Sequence, residues 1–114
     1  MKLPIRFLLL LPLLATPLGV RAQSAVDAAR GLVLARQICS ECHAVLAQEF
    51  RSPDPKAPTF AALSSAPGMT ATALTVSLTT PHAGMPMFRL DEAQRSDLIA
   101  YILGLKRQPG VPGR

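Results

Sequence analysis

The sequence has few of the residues from which small domains usually build a core. It contains no tryptophan, one tyrosine, four phenylalanines and only two cysteines among 114 residues. A disulfide between Cys39 and Cys42 would close a very short loop and so would stabilise the chain little. Runs of alternating apolar and polar residues, which indicate strands, are also missing. These absences predict an all-α domain that needs an additional stabilising element, and both cysteines are its natural attachment points.

The longest apolar run lies at the N-terminus and has the pattern of an export signal. Lys2 and Arg6 precede apolar residues 7–14, and small residues around Ala22 suit a signal peptidase. The run is short and contains a proline, so it would hardly cross a hydrocarbon layer of about 30 Å. We expect residues 1–22 to be a cleaved signal peptide of a periplasmic protein that keeps no stable membrane insertion. An uncleaved N-terminal anchor is the alternative.

Removal of this signal changes the charge of the protein. Three of the twelve Lys and Arg residues lie in the signal, so nine remain against seven Asp and Glu, and the formal net charge falls from +5 to +2. This charge gives little support to nucleic-acid binding, and we expect none. The mature chain is predicted to be one domain over residues 23–107, followed by a flexible tail over residues 108–114.

Local signals predict three helices and one additional helical turn. Apolar positions recur from Ser24 to Cys39, and Thr70 is a suitable N-cap for a helix that runs to about Thr79. Asp91, with Gln94 three residues later, forms a capping-box pattern at the start of a C-terminal helix. The single turn is predicted over residues 59–63.

The string Cys39-Ser40-Glu41-Cys42-His43 carries the clearest chemistry. C-x-x-C-H is the attachment motif of c-type haem: the two thiols can each add to a haem vinyl group, and the histidine can ligate the iron. A thioredoxin-like dithiol would need a preceding strand, which the pattern does not contain. A zinc site needs about four ligands, and His82 is the only further His or Cys. The motif therefore predicts one covalently bound haem c.

A second axial ligand to the iron can come from few side chains of the mature chain. Pro86 favours an extended conformation of Met85, which suits a side chain that reaches out of a loop. Met87 should point in another direction, and Met/His is an established haem ligation. Met85 is therefore the predicted ligand. The alternatives are Met87, His82, or no protein ligand at all.

Taken together, these motifs resemble the class I, or mitochondrial-type, cytochromes c of the short bacterial periplasmic kind. The resemblance covers nearly all of residues 24–107. Gly31 lies eight residues before Cys39, as the helix-packing glycine of that family does. Leu98 and Tyr101 match the leucine and the aromatic residue that cross the first helix at this glycine. Ala35 departs from the pattern, because the family usually has a large aromatic residue there.

Two further segments carry the resemblance. Ala57-Pro58-Thr59-Phe60 resembles the family's proline segment, in which a proline carbonyl accepts the proton of the ligand histidine. Met85-Pro86 resembles the axial methionine. The resemblance implies a cytochrome c fold of three to four helices around one haem, with the terminal helices crossing. It also implies that Cys39, Cys42, His43, Pro58 and Met85 bind the haem, with His43 and Met85 on the iron.

The function that the resemblance implies is electron transfer between redox partner proteins, without enzymatic activity of its own. Two alternatives remain at this point. One is a haem subunit of a larger dehydrogenase or oxidase complex. The other is an enzyme or sensor whose iron has an open coordination position.

Overall fold

The computed structural model describes residues 18–106 and contains four helices. These are α1 (Leu18–Ile38), α2 (Phe60–Ser65), α3 (Ala71–Thr79) and α4 (Glu92–Leu105). Within this range there is no strand, only an isolated β-bridge between His82 and Met85. The predicted all-α fold class is confirmed. None of the helices in the described range is long and apolar enough to cross a membrane.

Helix α1 begins six residues earlier than the predicted start at Ser24. Ser24 is a good N-cap residue, but nothing between Leu18 and Ser24 interrupts a helix, because no proline occurs there. The helix therefore continues upstream through the predicted signal cleavage site. Most of the predicted signal, residues 1–17, and the predicted tail, residues 108–114, lie outside the described residues.

The other helices begin where side chains can accept hydrogen bonds from the first turn. The backbone N–H of Ala73 donates to Thr70 Oγ1 at 3.1 Å, and that of Ala62 donates to Thr59 Oγ1 at 3.1 Å. At the start of α4 the predicted capping box is confirmed. There Asp91 Oδ1 accepts from the Gln94 N–H at 2.8 Å, and Gln94 Oε1 accepts from the Asp91 N–H at 3.1 Å.

Helices α1 and α4 make the most extensive helix–helix contact, and they cross at Gly31. A Cβ built on Gly31 would collide with the carbonyl oxygen of Asp97. It would also lie 2.6 Å from the carbonyl carbon of Asp97 and 2.8 Å from Cβ of Tyr101. The predicted close approach at this glycine is therefore present, and it involves the backbone of α4 as well as Tyr101. Only a residue without a side chain allows the two helices to come this close.

An ion pair that the sequence did not reveal lies next to this crossing. Arg30 Nε and a terminal guanidinium nitrogen donate to the two carboxylate oxygens of Asp97, at 2.7 and 2.8 Å. The same terminal nitrogen lies 2.7 Å from Asp27 on α1. Asp97 is 8% exposed, so its carboxylate needs such a partner. The pair links α1 to α4 beside the crossing.

The core of the domain contains both Ala35 and an aromatic pair. Ala35 is completely buried. Phe60, the first residue of α2, packs against Tyr101 with ring centroids 6.4 Å apart. An aromatic pair is thus present in the core, with one ring contributed by α2.

Candidate functional site

A cavity of about 520 Å³ lies between the end of α1, helices α2 and α3, the segment before α4, and α4 itself. This volume is typical of cofactor pockets. Most of the residues around it are apolar, and they include Ile38, Phe60, Leu63, Met69, Leu74, Leu78, Leu98 and Ile102. Exposure of these apolar side chains to water costs free energy, so an apolar group that fills the cavity would stabilise the domain.

The predicted C-x-x-C-H residues lie at one wall of this cavity. After α1 ends, the chain makes one more turn, in which the N–H of His43 donates to the carbonyl oxygen of Cys39 at 2.9 Å. This turn brings Cys39, Cys42 and His43 to the cavity together. Both cysteines are free thiols. The motif is therefore arranged to attach one group in the cavity through two sulfur atoms.

The loop after the motif is tied back to it by hydrogen bonds. The N–H of Ala44 donates to Ser52 Oγ at 3.0 Å. The carbonyl oxygen of Ala44 accepts from the N–H of Phe60 at 2.9 Å. The carbonyl oxygen of Cys42 accepts from the N–H of Asp54 at 3.1 Å. These contacts bring residues 57–60 alongside His43.

The imidazole of His43 is held by the backbone of Pro58. His43 Nδ1 lies 2.7 Å from the carbonyl oxygen of Pro58. Because a carbonyl oxygen can only accept, Nδ1 must carry the proton, and Nε2 keeps a free lone pair. A hydrogen bond of this kind also fixes the ring and raises the basicity of the ligating nitrogen. His43 is thus prepared to bind a metal through Nε2.

The environment of Cys39 differs from that of a redox-active dithiol. Burial raises the pKa of the Cys39 thiol to about 11, whereas the reactive cysteine of a dithiol oxidoreductase has a lowered pKa. Within residues 18–106, no three His, Cys, Asp or Glu side chains are grouped closely enough to hold a metal ion. The dithiol and zinc interpretations therefore gain no support.

The candidate axial ligands occupy different positions around the cavity. Met85 is half-buried and lines it, whereas Met87 is 54% exposed and lies outside the lining. His82 also lines the cavity, and its side chain is exposed, so it lies at the mouth. Met69 lines the cavity as well and packs with the core. The structure thus brings Met85 and His82 to the cavity on one segment.

The sequence pattern did not reveal how α4 holds the motif. The hydroxyl of Tyr101 donates to the carbonyl oxygen of Val45 at 2.6 Å, in a buried position. Tyr101 was expected as an apolar contact at Gly31, and the tyrosine hydroxyl was the only hint of a polar contact. Burial is the main cause that raises the pKa of Tyr101.

The set of groups around the cavity fits a covalently bound haem. It offers two thiols, an apolar interior, an imidazole with a free Nε2 and a thioether. These are the groups that c-type haem needs for attachment, burial and axial ligation.

Comparison with known proteins gives the same assignment. A family model described as Cytochrome c matches residues 28–106, well over half of the chain. No curated protein and no solved structure matched the chain. The matched range contains the Gly31 crossing, the C-x-x-C-H motif and all of α4. This chain therefore belongs to the cytochrome c family, whose members carry covalent haem c and transfer electrons.

Proposed function

We propose that this protein is a periplasmic electron carrier with one haem c and His/Met axial ligation. Cys39 and Cys42 attach the haem, and His43 and Met85 ligate the iron. When bound, the haem supplies an iron that alternates between the ferric and ferrous states. The observation that carries the proposal is the 2.7 Å contact between His43 Nδ1 and the Pro58 carbonyl, on a cavity also lined by both thiols and Met85.

The protein's own residues have separate tasks in this proposal. The Pro58 carbonyl keeps His43 in the tautomer that ligates through Nε2. The thioether of Met85 is a soft ligand that favours ferrous iron. The apolar lining excludes water from the iron, and solvent access is a second influence on the reduction potential. Because Met85 favours ferrous iron, we expect a reduction potential that is positive for a haem protein.

Location and partners form the second half of the proposal. The signal-like pattern of residues 1–22 supports export, and the partners are donor and acceptor proteins that meet the carrier transiently. Cleavage after Ala22 would remove the first five residues of α1 and leave a helix over residues 23–38.

Two spectra of the purified holoprotein test the ligation. The pyridine haemochrome spectrum should be that of a haem with two thioether bonds. Acid–acetone should not extract this haem from the protein. The ferric protein should show the methionine–iron absorption band at the red edge of the visible spectrum. An extractable haem would overturn covalent attachment. Absence of the band, together with rapid binding of carbon monoxide by the ferrous protein, would favour an open-site enzyme or sensor.

Fractionation tests the location and the free state. Mass spectrometry of protein from the periplasmic fraction should give a chain that starts near Gln23, and size exclusion should give a small free protein. Recovery of the whole chain with the membranes, or stable co-elution with other subunits, would contradict a free periplasmic carrier.

A further inference from the structure

The only two histidines of the chain have the same hydrogen-bond arrangement and line the same cavity. His43 Nδ1 lies 2.7 Å from the carbonyl oxygen of Pro58, and His82 Nδ1 lies 3.2 Å from that of Thr80. In both cases the carbonyl can only accept, so Nδ1 carries the proton. Each ring therefore has its Nε2 lone pair free for a metal.

His82 is linked to Met85 by a tight turn. The N–H of Met85 faces the carbonyl oxygen of His82 at 3.4 Å, and Gly84, the third residue of the turn, has a φ of +82°. A turn of this kind needs a positive φ at its third position, which glycine supplies. Any ligand position that Met85 can reach is therefore also close to His82.

The segment that carries both side chains can readjust at small cost. It has no helix or strand between the end of α3 and the start of α4, apart from the isolated bridge. The 3.4 Å contact in the turn is long for a hydrogen bond, and the side chain of His82 is exposed. A movement of His82 into the cavity breaks little packing. A movement of Met69, by contrast, would disturb the core against which it packs.

We propose that His82 is a reserve axial ligand, which takes the iron position when the thioether of Met85 is lost. This inference rests on the proposed function. In the exchange the bond between sulfur and iron breaks, and the Nε2 lone pair of His82 forms the new bond. In the neutral imidazole whose Nδ1 carries the proton, Nε2 is unprotonated, so the exchange needs no further reactant. The site then remains closed to external ligands, at a lower potential, because nitrogen has replaced a soft sulfur ligand.

Three ferric holoprotein variants test the proposal. They are Met85→Ala, the double variant Met85→Ala/His82→Ala, and the matched control Met85→Ala/Met87→Ala. Electron paramagnetic resonance should give a low-spin signal of two nitrogen ligands for Met85→Ala and for the Met87 control. The His82 double variant should be high-spin. It should also bind cyanide faster by about tenfold or more, because no internal ligand has to leave first.

The outcomes separate this inference from the proposed function. A high-spin Met85→Ala variant, with the same cyanide rate as the His82 double variant, would overturn the reserve role and leave the His/Met ligation of the parent intact. A parent that already has two nitrogen ligands, and loses one in His82→Ala, would overturn both. A Met87 control that becomes high-spin would assign the reserve role to Met87 instead.

Discussion

The hydroxyl of Tyr101 donates a 2.6 Å hydrogen bond to the carbonyl oxygen of Val45, two residues after His43. Through this bond the C-terminal helix holds the chain that follows the C-x-x-C-H motif. The same tyrosine lies against Gly31 of α1 and packs on Phe60. Phe60 in turn faces the ring of His43, with centroids 5.4 Å apart. The helix crossing and the histidine are thus parts of one packed unit.

Replacement of Tyr101 by Phe should lower the free energy of unfolding by about 1–2 kcal/mol, because the buried Val45 carbonyl loses its donor. The pKa of this tyrosine is higher in the folded protein than in the unfolded chain, where it is about 10. The stability that Tyr101 contributes is therefore fully present below about pH 10, and it is lost as the pH rises through the pKa of the folded state. Denaturant unfolding at neutral and alkaline pH measures both effects. The role would be contradicted if the Phe variant were as stable as the parent and lost as much stability at alkaline pH.

Substitution of Gly31 by Ala should destabilise the domain by roughly 1–3 kcal/mol, because the new Cβ collides with the backbone of Asp97 and forces the helices apart. Gly104 is a matched control, since a Cβ there has no heavy atom within 4 Å. Gly104→Ala, within α4, should be neutral or stabilising by up to about 1 kcal/mol. Thermal unfolding of the two holoproteins compares them. Similar effects at both positions would argue against a close crossing.

The pair of Arg30 with Asp97 should be worth more than the pair of Arg30 with Asp27. A double-mutant cycle on Arg30 and Asp97 should give the larger coupling energy, because the Asp97 carboxylate is largely buried and the contact is bidentate. The cycle with Asp27, a neighbour on the same helix whose side chain is more exposed, should give the smaller one. Equal couplings would contradict this ranking.

Loss of either thiol should leave one thioether bond. Cys39→Ser and Cys42→Ser should each give little holoprotein, with a shifted pyridine haemochrome band, and the double variant should hold no covalent haem. Because the haem fills the apolar cavity, haem-free protein should be largely unfolded. Mass spectrometry and far-ultraviolet circular dichroism measure these effects. A haem-free protein with a sharp thermal transition would contradict the second expectation.

Replacement of Met85 by Ala should abolish the methionine–iron absorption band and lower the reduction potential, because the ligand that favours ferrous iron is gone. Met87→Ala is the control, and it should keep the band, since Met87 is 54% exposed and lies outside the cavity lining. Optical titration against redox mediators measures the potential. If only the Met87 variant loses the band, the ligand has been assigned to the wrong methionine.

Local features of the fold could be predicted from the sequence, whereas the polar contacts that α4 makes with distant residues could not. The caps at Thr70 and Asp91 depend on residues three positions apart, so their pattern is visible in the chain. The contact of Arg30 with Asp97 joins residues 67 positions apart, and that of Tyr101 with Val45 joins residues 56 apart. No periodicity encodes such pairs.

The start of α1 and the surroundings of the methionines illustrate the same limit. Ser24 has the local properties of an N-cap, but a helix can continue through such a residue when nothing upstream interrupts it. At the site, the pattern around Pro86 favoured Met85. The spacing of three residues between His82 and Met85 also predicts that both lie near the same face, and both line the cavity. The turn at Gly84 that connects them depends on the folded backbone and was not predicted.

The crossing at Gly31 also has a consequence for the order of events during folding. Its partner, α4, is the last helix of the described domain, so the crossing closes a loop that contains α2, α3 and the loops between them. Closing so long a loop is slow, because entropy is lost before distant contacts form. The C-x-x-C-H motif lies inside that loop. Because the haem-free chain is expected to be largely unfolded, both thiols stay accessible to haem until the haem is attached and the two helices can cross.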